Sequence, residues 1–141
     1  MTGQALRTGP ATVAGGLRHR AAAAVAGVMA FASFAGVVGL IGGSLDLGAT
    51  VNSRLPFHSP VLGGFALLLI VAVPMTAAAV AAWRGDPGSA GLLMLAGAAL
   101  VGWILVEIAF IRTFAWLQPV CGGYGLLVAA LGWHARRTAA R

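Results

Sequence analysis

The feature that most limits how this chain can fold is a series of long, nearly uninterrupted apolar runs. They cover residues 21–43, 61–83, 90–111 and 117–134. A helix needs about 20 apolar residues to cross the hydrocarbon of a bilayer, with about 17 as a lower limit. The first three runs exceed that length; the fourth is short and rich in glycine near its start. Inside hydrocarbon every backbone polar group must bond within a helix or a closed barrel. The runs are continuous rather than ten-residue alternating segments, so a barrel does not fit. The expected fold is all-α and integral to the membrane: one domain, residues 1–141, of four transmembrane helices in an antiparallel up-down bundle.

Composition agrees. The chain is 60% apolar and 9% charged, whereas soluble domains carry about 25% charged residues. So few charges could not clothe a water-facing surface. The run at 21–43 exceeds the 7–15 apolar residues of a signal-peptide core, and no A-x-A site closes it, so it reads as a retained span.

The connections set the topology. WRGDPGSA, residues 83–90, is a tight polar turn in which Asp86-Pro87 starts the turn and Ser89 is placed to cap the next helix. RTFAW, residues 112–116, is equally short. Both connections force antiparallel neighbours. The outer loop, residues 44–60, is longer, and its Pro60 suits the first turn of the second span.

Orientation follows from the nine basic residues, all arginine. Arg7, Arg18, Arg20, Arg84, Arg136, Arg137 and Arg141 share one side; Arg54 and Arg112 lie opposite. Basic residues stay cytoplasmic. The expectation is a multi-pass plasma-membrane protein with both termini cytoplasmic and loop 44–60 outside. The net charge of +6 then belongs to membrane anchoring rather than to nucleic acid, because the arginines flank the spans.

Within the spans, small residues suggest where backbones approach. Gly36, Gly39 and Gly43 fall on one helical face, as do Ala98 with Gly102 and Cys121 with Gly125. Pro74 interrupts the second span and predicts a helix kink, with Thr76 near enough to satisfy part of the freed backbone.

The most informative residue is Glu107, in GWILVEIAFIRTFAWLQP, residues 102–119. At 1.5 Å per residue it lies roughly 10 Å from the centre of its span. Half the hydrocarbon is about 15 Å thick, so the carboxylate is immersed, but shallowly. An intramembrane acid needs a partner or a function. Arg112, Gln118 and Tyr124 are near in sequence or across the turn, and Arg54 and His58 belong to the loop at the same end. Trp103 and Phe110, at i−4 and i+3, give an aromatic–acid–aromatic face suited to a cationic ligand, or to a core carboxylate acting as a strut. The shallow depth favours the strut.

Other chemistry finds little support. The lone Cys121 leaves no pair for redox exchange or zinc. His19, His58 and His134 are not at one depth inside the bundle, so haem is not expected. No metal-ligand spacing occurs, and no phosphate or dinucleotide fingerprint. No cofactor is implied. A nucleophilic arrangement of Ser59, His58 and Glu107 would require the outer loop to fold over a groove. GGYG, residues 122–125, resembles a channel filter only in composition, because such a filter needs several loops around one axis.

Three functions are compatible with these residues. The favoured one is a non-catalytic membrane protein acting through lipids, through a second copy of itself or through another membrane protein. The alternatives are a small transporter or channel component with a ligand or ion site near Glu107, and a membrane-embedded lipid-modifying enzyme.

Overall fold

The computed structural model describes residues 10–44, 48–49, 53, 59–112 and 114–140. Four helices account for nearly all of them, with no strand among the described residues: α1 Pro10–Ile41, α2 Pro60–Arg84, α3 Ser89–Ile111 and α4 Leu117–Ala139. Three of these helices, α1 to α3, are long and apolar enough to cross a membrane. That pattern is consistent with a membrane protein.

Helix α1 starts eleven residues before the apolar run that predicted it. Pro10 is pre-set for a first helical turn, and alanine sustains the turns after it. With 32 residues, α1 is about 48 Å long. Arg18, His19 and Arg20 therefore sit on the helix rather than ahead of it. The helix ends at a glycine pair, with Gly43 in the left-handed region at φ 68°, a conformation that favours glycine.

Helix α2 opens with Pro60 in its first turn, and the Ser59 hydroxyl accepts the Leu62 amide at 3.5 Å. A local change of helix type precedes Pro74. Residues Leu68–Ala72, just before it, form a π turn in which the Val73 amide donates to the Leu68 carbonyl. Proline has no amide hydrogen and its ring crowds the carbonyl four residues back; a wider turn is one way to relieve that crowding. Thr76 donates its hydroxyl to the Ala72 carbonyl at 2.7 Å, not to the Ile70 carbonyl that Pro74 leaves without its usual donor. Helix α2 ends in a Schellman motif on Gly85, φ 70°. There the Gly85 amide reaches Ala82 and the Asp86 amide reaches Ala81, at 3.1 and 2.9 Å.

Ser89 does not cap α3 as expected. Gly88 holds the cap position without a side-chain bond, and Ser89 is buried in the first turn, its amide donating to the Asp86 carbonyl at 3.0 Å. At the far end of α3, Arg112 takes the left-handed conformation, φ 49°, and its amide bonds the Ile108 carbonyl.

Two seams of small residues organise the packing. On α1, Ala22, Ala26, Ala30, Ser33 and Val37 are buried along one face; on α2, Val71, Met75, Ala78 and Ala82 are buried likewise. Leu67 lies against Gly36, and Gly64 against Leu40 and Ile41. Residue numbers rise on one helix as they fall on the other, so α1 and α2 are antiparallel. The second seam is closer. A Cβ at Gly97 would stand 2.5 Å from the Ala129 nitrogen and the Gly125 oxygen; one at Gly132 would stand 2.6 Å from the Ala90 oxygen. Helices α3 and α4 therefore touch backbone to backbone, antiparallel, along most of their length. Leu93, Ala96, Leu100 and Ile104 of α3 and Val128 of α4 complete the core.

The large side chains face outward. Phe31, Leu69, Leu95, Leu105 and Leu126 are all more than 60% exposed. In water this would be an aggregating surface. In a bilayer it meets acyl chains, and the small interior residues let dispersion replace the missing hydrophobic drive.

The α3–α4 seam yields a direct test. Gly97→Ala forces a Cβ into backbone atoms and is expected to cost about 1–3 kcal/mol in reversible unfolding from mixed micelles. Gly123→Ala, at an exposed position with nothing within 4 Å, is expected to leave stability unchanged or slightly raised. Equal stability of the two variants would contradict the close contact.

Candidate functional site

Glu107 lies on α3, one turn from its end, and is half-buried. Its partner is on its own helix: the Trp103 indole nitrogen donates to Glu107 Oε1 at 3.1 Å. The i, i+4 spacing stacks the two side chains on one face. Among the described residues Glu107 forms no ion pair. The indole has a single donor, so this bond uses it fully while the ring packs against the core. Phe110, the other aromatic of the expected face, is exposed.

The other polar groups expected near Glu107 are engaged in different tasks. Tyr124 of α4 is half-buried and donates its hydroxyl to the Val25 carbonyl at 2.7 Å. Helices α1 and α4 share the thinnest contact among neighbouring helices, so this bond ties the first helix to the last. Gln118 is buried, and its Oε1 accepts the Ala115 amide at 3.2 Å at the entry to α4. Arg112 is exposed. Arg54 and His58 lie outside the described residues. Cys121 is half-buried and packs against the core beside Trp103 and Tyr124.

The remaining sequence-derived positions separate. Gly36 is in the α1–α2 seam, where an added Cβ would stand 3.2 Å from Leu67 Cδ2. Gly39 is buried. Gly43, expected on the same packing face, is instead exposed in the turn that ends α1, because its left-handed backbone carries it off the helix. Pro74 follows the π turn. Ser59 Oγ caps the start of α2. Among the described residues no three metal-ligating side chains converge.

A shallow groove of about 280 Å³ lies between α3 and α4 near this end, lined by Ile104, Leu105, Ile108, Phe114, Gln118 and Gly122 among others. Apart from Gln118 these side chains are apolar.

Sequence reasoning missed the alanine seam of α1. The i, i+4 recurrence of Ala22, Ala26 and Ala30 was the available signal. It also missed two cation–π pairs. Arg20 sits 5.9 Å from the Trp83 ring and Arg137 4.8 Å from the Trp133 ring. The second pair is visible as i, i+4 spacing; the first required the α1–α2 register.

The Trp103–Glu107 bond can be measured by a double-mutant cycle. Trp103→Phe and Glu107→Leu, alone and together, are expected to show a coupling of about 0.5–3 kcal/mol in micelle unfolding. Strict additivity would mean that the two side chains do not interact.

No family model, curated protein or solved structure matches this chain, so the meaning of the site rests on its own geometry.

Proposed function

We propose that the chain is a four-span plasma-membrane protein without catalysis of its own, acting through contacts with lipid, a second copy or another membrane protein. Its working surface is the outer end of the bundle: Glu107, Arg112, Gln118 and the loop 44–60. Both termini are cytoplasmic in this reading.

Support for the fourth span comes from α4 itself. It has 23 residues and runs beside α3 at backbone distance from Gly97 to Gly132. A helix so closely apposed to a membrane-spanning neighbour shares its depth. Its weaker apolar character reflects Gln118 at one end and His134, Arg136 and Arg137 at the other. The register that sets Arg20 against Trp83 supports placing this end of the bundle at a membrane interface. Tryptophan and arginine together suit a headgroup layer.

The observation that carries the non-catalytic reading is the fate of the polar side chains inside the bundle. The Glu107, Tyr124 and Thr76 side chains each make a bond that braces a helix or joins two helices. None of these bonds links one of the three side chains to another, as an acid, base or nucleophile acting together would require.

Two measurements test this. Tags at either terminus are expected to be reached by an impermeant reagent only after the cells are opened; labelling of intact cells at either end would overturn the orientation. Native mass spectrometry from gentle detergent is expected to retain bound lipid, a second subunit or a partner. A bare monomer would count against contact as the function.

A further inference from the structure

A second groove lies at the opposite end of the molecule from Glu107. Its volume is about 520 Å³, and its walls include Phe34 of α1, Val73, Ala77 and Val80 of α2, and Leu92 of α3, with Asp86 at the turn between α2 and α3. Thr76 also lines it, but its hydroxyl is satisfied on the Ala72 carbonyl at 2.7 Å. The walls are therefore apolar from Val73 downward, until the groove reaches a carboxylate.

The Asp86 backbone is fully used in the turn: its amide bonds Ala81 and its carbonyl accepts Ser89. Its side chain is exposed and, among the described residues, has no hydrogen bond or ion pair. The chain has three acidic residues and nine basic ones, so a carboxylate left without a cation is unexpected on charge balance. Along α2, Val73 and Arg84 are separated by roughly 16 Å at 1.5 Å per residue. One leaflet of hydrocarbon is about 15 Å thick. The groove thus runs from mid-bilayer to the headgroup level, parallel to the helices, and ends in an unpaired negative charge.

We propose that this groove holds one acyl chain of a phospholipid whose headgroup carries a primary amine, with the ammonium on the Asp86 carboxylate. Charge selects the headgroup. The arginines near this end attract anionic lipid without distinction, whereas Asp86 repels an anionic head and favours an ammonium. A primary ammonium also donates hydrogen bonds to a carboxylate, which a quaternary one cannot. Arg84, two residues earlier in sequence and exposed at the same end, offers a cation for the phosphate. The inference shares the membrane setting of the proposed function but uses neither Glu107 nor the outer end.

The test is native mass spectrometry of the full chain from micelles containing equal amounts of phosphatidylethanolamine and phosphatidylglycerol. Wild type is expected to retain phosphatidylethanolamine in preference. Asp86→Asn is expected to lower that retention by about fivefold, the upper range for an exposed charge pair, while raising phosphatidylglycerol as the repulsion of its anionic head is removed. Ala77→Phe, which fills the groove from an exposed position, is expected to lower phosphatidylethanolamine retention likewise; unchanged melting of both variants in micelles shows that they fold. Glu107→Leu is expected to leave the preference intact. Equal retention of the two lipids by wild type, or undiminished phosphatidylethanolamine on Asp86→Asn, overturns the groove assignment. Loss on Glu107→Leu but not on Asp86→Asn moves the lipid to the outer end and leaves the general function standing. A chain that keeps neither lipid nor a second subunit nor a partner overturns both.

Discussion

The close approach of α3 and α4 is the constraint on which the rest of the architecture depends. Gly97, Gly125 and Gly132 allow two backbones to meet where any side chain would collide with peptide atoms. In hydrocarbon, helices gain nothing from hiding apolar surface from each other, so the attraction must come from dispersion at short range and from backbone contact. Once α4 is held in this way, its Tyr124 is carried to the α1 backbone and its Gln118 to the turn it braces. The end of the bundle around Glu107 is therefore shaped by contacts made further along the helices.

The two seams use different residues for a related purpose. Alanine sets the α1–α2 distance and glycine the α3–α4 distance. The residues between them, Met75, Leu93, Leu100 and Val128, fill a core that few polar groups enter. Large aliphatic and aromatic side chains are turned outward. This inverts the arrangement of a water-soluble domain, and the solvent explains the inversion: a bilayer leaves no penalty for exposing phenylalanine and a considerable one for exposing a peptide group.

Much of this was legible in the sequence because run length and composition report directly on the solvent. The three longest runs appear as the three span-length helices, and the tight turn at Asp86-Pro87 joins α2 to α3. The errors cluster where a local backbone event decided the outcome. Proline at 74 signalled a disturbance, but not that the residues before it would widen into a π turn. Gly43 shares helical spacing with Gly36 and Gly39, yet the left-handed turn removes it from the face. Ser89 has the right chemistry for a cap and sits one residue too late. At Glu107 the sequence presented the acid and the indole in register; of the arginines offered as partners, Arg112 is exposed and Arg54 lies outside the described residues. The nearest donor was one turn back on the same helix.

The Tyr124–Val25 bond joins groups 99 residues apart, across the side of the bundle with the least other contact. Each hairpin, α1 with α2 and α3 with α4, is held by neighbours in sequence and forms from local material. The tyrosine can close the ring only when α4 has been synthesised and brought back to α1. Until α4 is in place, the flank of α1 that accepts this bond stays open. A quality-control machinery that sensed an open flank between α1 and α4 would be reading whether the four helices had assembled.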